Sequence, residues 1–139
     1  MGKIKTRPTG EDVTAFLDSV ASTRRRSEGH QTRALFEQLT GTPAVMWGPS
    51  MVGFGSKSYT NTTGTNDWFI VGFSPRATAL TFYGIYDGYG PPDPLFDELG
   101  PHSTGKGCVY VKDLSAIDLS ILERLITNAW KRAHEDAEG

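Results

Sequence analysis

The chain has 139 residues, 37% of them hydrophobic and 22% charged, with a formal net charge of -2. That size and mix suit one globular domain and not a disordered chain. The charge argues against a dedicated nucleic-acid binder, no apolar run nears the roughly 20 residues that span a bilayer, and a single cysteine excludes an internal disulfide or a Cys-rich zinc site.

Residues 1–8 read as a frayed tail with no apolar segment behind its positive charge, so no secretory signal is expected. Thr9 is placed to cap a first helix with Asp12 three residues on, and Val13, Phe16, Leu17 and Val20 fall on one helical face. A second helix is expected from a cap at Ser22 or Thr23 to a stop at Gly41, with Leu35 and Leu39 on its apolar side. Arg24, Arg25 and Arg26 oppose the dipole at its start, and Gly29 in its interior costs about 1 kcal/mol relative to Ala. Either the regular helix begins nearer Ser27 or the arginines have a task.

A β-rich block follows. "PAVMWG" and "SMVGFGSKSYT" read as extended, with a bend at Gly48-Pro49. The spacing predicts antiparallel pairing of 54–60 with 67–74 across a Thr/Asn loop, then a strand over 78–85. Asp93, Pro94 and Gly100 bracket a short helix near 93–99. "GKGCVYVK" is a strand, with Cys108 and Tyr110 on one face and Val109 and Val111 on the other. Asp118 caps a long final helix over 119–133, where Ile117 and Leu122 form a hydrophobic staple. Residues 134–139 read as a second frayed tail. The expected architecture is a single α+β domain over 9–133: a central antiparallel sheet with two N-terminal helices, a short helix near 93–99 and a long C-terminal helix.

No catalytic constellation emerges. "GPHSTGKG" matches the opening of a phosphate-binding loop, but Gly107 stands where Ser or Thr would ligate magnesium, and a strand follows instead of a helix. His30, His102 and His134 belong to no His–acid–Ser grouping. Cys108 lies in a strand and reads as a small buried hydrophobe, the alternative being a reactive thiol activated by Lys106 and Lys112. The aromatics of the sheet block are more suggestive. Alternation puts Phe69, Val71 and Phe73 on one face and Trp68, Ile70 and Gly72 on the other, so both faces carry apolar bulk. Helices cover one face. The other is covered, paired with a second copy, or open to a ligand.

The blocks "MWGPSMVGFG", "DWFIVGFSPR" and "TGKGCVYVK", the last followed by "DLSILERLI", resemble the bacterial YdhG-like proteins, the domain family of unknown function numbered 1801. The resemblance spans about residues 10–132 and implies a small α+β domain. Some members are likened to frataxin as intracellular iron chaperones. That implies an iron role here, carried by Glu11, Asp12 and Asp18. The residues matching the family blocks are Trp47, Ser50, Phe54, Trp68, Phe73, Ser74, Arg76, Lys106, Tyr110 and Lys112. They are expected to face one groove for a small anionic or planar ligand, with Arg76 and Lys106 neutralising charge and the aromatics stacking. The expectation is therefore a cytoplasmic, non-catalytic ligand-binding or accessory domain. An iron chaperone is the alternative, and a homodimer paired through the uncovered sheet face is the third.

Overall fold

The computed structural model describes residues 11–48, 50–61, 64–86, 94–105 and 107–138, and for 57–61, 64–67 and 134–138 only the course of the backbone. The helices are α1 (Val13–Asp18), α2 (Thr23–Thr40), α3 (Phe96–Leu99) and α4 (Leu119–Glu138). The strands are β1 (Val45–Trp47), β2 (Met51–Phe54), β3 (Lys57–Asn61), β4 (Gly64–Trp68), β5 (Val71–Pro75), β6 (Leu80–Tyr83), β7 (Ser103–Gly105) and β8 (Cys108–Val111). A 3-10 turn, Leu114–Ala116, joins β8 to α4.

Six strands form one antiparallel sheet in the order β1-β2-β5-β6-β8-β7, and β3 with β4 forms a separate two-stranded ribbon. The α+β architecture with a long C-terminal helix is the one expected. Among the described residues, no helix is long and apolar enough to cross a membrane.

Local chemistry explains most element ends. Ser22 caps α2 by accepting the Arg25 amide, and Gly41 ends it in the left-handed conformation at φ 66°. Asp118 Oδ1 accepts from the Ser120 amide (3.0 Å) and the Ile121 amide (3.4 Å) at the start of α4. Three boundaries differ from expectation. Asp12, not Thr9, caps α1, its Oδ1 accepting from the Thr14 and Ala15 amides, and Thr9 lies outside the described residues. The helical backbone of α4 runs on to Glu138, past the expected end at 133. α3 starts at Phe96 with no side-chain cap, and Asp93 lies outside the described residues.

The expected long hairpin is broken in two. Met51–Phe54 pairs with Val71–Pro75, and Lys57–Asn61 pairs with Gly64–Trp68. Both strands leave the main sheet at the same level, at Gly55 (φ 71°) and at Phe69-Ile70, where the Ile70 amide still donates to the Phe54 carbonyl (3.2 Å). The break reverses the expected alternation. Phe69 ends on the face opposite Val71 and Phe73.

Register divides the sheet into two faces. Val52, Phe73, Phe82 and Val109 are aligned across neighbouring strands and point at the helices. Phe36 of α2 centres this layer, with ring centroids 5.1 Å from Phe54, 5.7 Å from Phe73 and 6.2 Å from Phe82. Leu122, Leu125, Ile126 and Ala129 close the layer from α4. Burying such side chains contributes about 1.5–3 kcal/mol each, which makes this layer the main source of stability.

Candidate functional site

The second face carries the row Gly53, Gly72, Tyr83, Cys108 and Gly105, and beside it the row Ser74, Thr81, Tyr110 and Ser103. Its two ends differ in character. At the β2–β5 end, the absence of side chains at Gly53 and Gly72 leaves room that Phe69 fills. A Cβ on Gly53 would lie 2.7 Å from Phe69 Cβ and 2.6 Å from Trp47 Cδ1. Trp47, Trp68, Phe69 and Tyr83 form a continuous aromatic cluster, with Trp68 stacked on Phe69 at 4.6 Å and Trp47 edge-on to Phe69 at 5.6 Å. Trp47 and Phe69 are buried by this packing within a single chain, so no second copy is needed to cover them.

At the β8–β7 end the face is polar and cationic. Tyr110 lies in β8, Lys112 follows the end of that strand, and both border one cleft. Ser103 lies opposite Tyr110 in register, and a Cβ on Gly105 would come 2.8 Å from the Tyr110 hydroxyl, so the ring lies over that glycine. A hydrogen bond with Cys108 is the main cause that raises the Tyr110 phenol above its ordinary pKa, with the Cys108 charge and partial burial acting in the same sense. The guanidinium of Arg76 acts in the opposite sense and so lies within electrostatic reach of the phenol. A phenol raised in this way stays protonated at neutral pH, with its one hydrogen shared with Cys108.

Beside Tyr110 opens a cleft of about 320 Å³, lined by Pro101, His102, Ser103, Tyr110, Lys112 and Asp113, with Ala116 at its edge. His102 Nδ1 is 2.8 Å from the Gly100 carbonyl oxygen, which only accepts, so this nitrogen carries the hydrogen. Asp113 accepts from the Ser115 hydroxyl (2.6 Å) and amide (3.0 Å) and lies 3.5 Å from Arg24. Those hydrogen bonds, and then the Arg24 charge, hold its carboxyl below the usual aspartate value.

The arginine run has a structural task, and it bears on this cleft. Arg24 Nη2 (3.1 Å) and Arg25 Nη2 (3.3 Å) both donate to the Lys112 carbonyl. Arg25 is buried and paired with Glu28 at 2.5 Å, while Glu28 Oε2 accepts from the Leu114 amide at 2.9 Å. Arg26 donates to the Val20 and Ala21 carbonyls and ties down the α1–α2 connection. The start of α2 thus anchors the chain that leaves β8 and fixes the backbone from which Lys112 projects.

The ten residues expected in one groove fall into three places. Phe54 and Phe73 are fully buried against Phe36 and line no groove, because their positions in β2 and β5 point at the helices. Trp47 and Trp68 belong to the aromatic cluster, and Ser74 is buried, its hydroxyl donating to the Ser50 carbonyl (2.7 Å). Tyr110 and Lys112 border one cleft, Arg76 is within electrostatic reach of Tyr110 but is not among the residues lining it, and Lys106 lies outside the described residues. His102, Ser103 and Asp113 were not singled out as ligand-binding residues. The signal was present as two residues, Lys106-Gly107, between "STG" and "CVYV", a hairpin spacing that makes "STG" a strand and sets Ser103 against Tyr110.

The acidic trio does not converge. Glu11 and Asp12 border a crevice of about 680 Å³ between α1 and the end of β1, where Phe16 and Met46 form apolar walls. Asp12 is committed to its cap, and Asp18 pairs with His30 at 2.8 Å. Among the described residues, no group of three His, Cys, Asp or Glu side chains is arranged to hold a metal ion. Comparison with protein-family models, with curated proteins and with solved structures finds no match to this chain.

Proposed function

We propose that this chain is a small-ligand-binding or accessory protein, without catalysis of its own, whose ligand is an anion held at the polar end of the second sheet face. The observation that carries the reading is the juxtaposition of a protonated phenol, Tyr110, and an ammonium, Lys112, on the walls of one cleft, with Arg76 acting on the same phenol. The Lys112 ammonium with the Ser103 hydroxyl in one cleft is a donor set an oxyanion needs, and partial enclosure strengthens such charge-assisted bonds. The aromatic stacking first expected of Trp47, Phe54 and Phe73 is replaced by a single ring, that of Tyr110.

The YdhG-like membership rests on the three sequence blocks, and the small α+β domain it implies agrees with the architecture. A bacterial, cytoplasmic setting fits a chain with one cysteine. Iron handling finds no support in the geometry of Glu11, Asp12 and Asp18. Anaerobic titration with ferrous iron should give no saturable heat, and micromolar binding lost in Asp12→Asn would revive it.

Thermal unfolding of the full chain in matched sodium salts of acetate, benzoate and phosphate tests the anion site. At least one anion should raise the melting temperature beyond the chloride control, and Lys112→Ala and Arg76→Ala should each reduce that rise. Equal melting temperatures in all salts would overturn the reading.

A further inference from the structure

Resting on the anion-binding reading of this cleft, we propose that its ligand is a monoanionic carboxylate with an apolar, ring-sized body, and that doubly charged phosphates are discriminated against. Lys112 is the one cation among the described residues lining the cleft, and the carboxylate of Asp113 stands on the same wall. Ser115 and Arg24 keep that carboxylate ionised through the neutral range. One ammonium matched to one negative charge leaves a second negative charge facing Asp113 with no cation of its own, and like charges at this range repel. The remaining hydroxyl free for a ligand, that of Ser103, is neutral and stands opposite Tyr110 in register. Together with Lys112 it offers two donors, one for each oxygen of a carboxylate.

The rest of the wall is apolar. Pro101, Ala116 and the Tyr110 ring contribute carbon surface, and the His102 ring is braced against Phe96 with centroids 5.7 Å apart. A volume of about 320 Å³ lies at the small end of the roughly 300–1,000 Å³ found for organic-ligand pockets. An inorganic ion leaves most of that surface uncovered, whereas a ring-bearing carboxylate removes it from water.

Isothermal titration of the full chain with benzoate, acetate, benzyl alcohol and inorganic phosphate tests the ligand class. Benzoate should bind about tenfold or more tighter than each of the other three, since losing either the ring or the charge removes about 1.4 kcal/mol or more. Lys112→Gln, at an exposed side chain, should weaken benzoate by about tenfold with an unchanged circular dichroism spectrum. Asp113→Asn keeps an acceptor for the Ser115 amide and should raise phosphate affinity relative to benzoate. Phosphate binding as tightly as benzoate to the native chain, with both weakened in Lys112→Gln, would overturn the carboxylate assignment and leave the anion site standing. Benzoate affinity unmoved by Lys112→Gln, or no binding by any anion, would overturn both. The ligand comparison is made on the native chain, so it does not depend on either variant folding.

Discussion

A methyl group added at Gly72 would sit 2.5 Å from the Val52 carbonyl oxygen and 2.9 Å from Phe69 Cε1. The first neighbour is sheet backbone and has nowhere to move. Gly72→Ala should therefore destabilise by about 1–3 kcal/mol or more, read as a lower urea midpoint. Gly107 is a different case, because nothing lies within 4 Å of its missing Cβ and only its φ of 76° resists a side chain. Gly107→Ala should cost about 1 kcal/mol from backbone strain alone. The acid limb of stability also belongs to single residues. Ser120 and then the Ile121 amide hold Asp118 below the ordinary value of 3.8, and Ser115 does the same for Asp113. A folded-state pKa below the unfolded one adds stability that is complete above the unfolded value and is lost as the pH falls through the folded value. Urea unfolding at pH 3 and pH 6 should show a smaller loss on acidification for Asp118→Asn than for the native chain. An equal loss in both would remove the cap from the explanation. Asp118 was legible as a cap, because it directly precedes a helical run, whereas Asp113 before the 3-10 turn was not. Gly72 was not, since what fills its space arrives from residue 69 through a break in the strand.

At the scale of elements, the start of α2 carries the tightest coupling in the molecule. Three arginines in a first turn look unfavourable in sequence, because the helix dipole repels them. In the fold each has carbonyl acceptors from other segments: Lys112 for Arg24 and Arg25, Val20 and Ala21 for Arg26. Glu28 serves two partners, the buried Arg25 and the Leu114 amide. Glu28→Gln keeps an acceptor for the amide but leaves a buried guanidinium without its counter-charge, and should cost about 3–5 kcal/mol. Replacing Arg25 by Met and Glu28 by Leu together should cost less than the sum of the two single changes, as a double-mutant cycle would show. Additive costs would mean the pair is not coupled. Gly29 is also explained here. Its missing Cβ would lie 3.1 Å from Leu17 Cδ2 and 3.6 Å from Pro75, so α2 packs closely on α1 and on the end of β5. The helical signal for α2 was plain in the sequence. The partners of Arg24, Arg25 and Glu28 outside α2 lie some 86–88 positions away and leave no local trace.

The whole molecule is a sheet with two unlike faces. One is a conventional core centred on Phe36. The other is sealed at one end by Phe69, Trp47 and Trp68 and left polar at the other. Phe69→Ala should cost about 3–5 kcal/mol. It should also red-shift the Trp emission, by less than unfolding does, because Phe69 packs on both Trp47 and Trp68. Lys112→Ala should leave stability within about 0.5 kcal/mol while weakening anion binding, which separates the polar end from the sealed one. The amino-acid sequence by itself determined the helices, the caps at Ser22 and Asp118, the stop at Gly41, the alternating strand at Cys108–Val111 and the α+β class, because those follow from spacing and capping within a few residues. Only the tertiary structure decided which aromatics are core, which face Phe69 joins, and that Tyr110 and Lys112 border one cleft that Phe54 and Phe73 do not. Those outcomes depend on strand register and on one break at Gly55 and Phe69-Ile70. A shift of one residue in a strand exchanges its faces, and no local pattern records on which side of a break the count resumes.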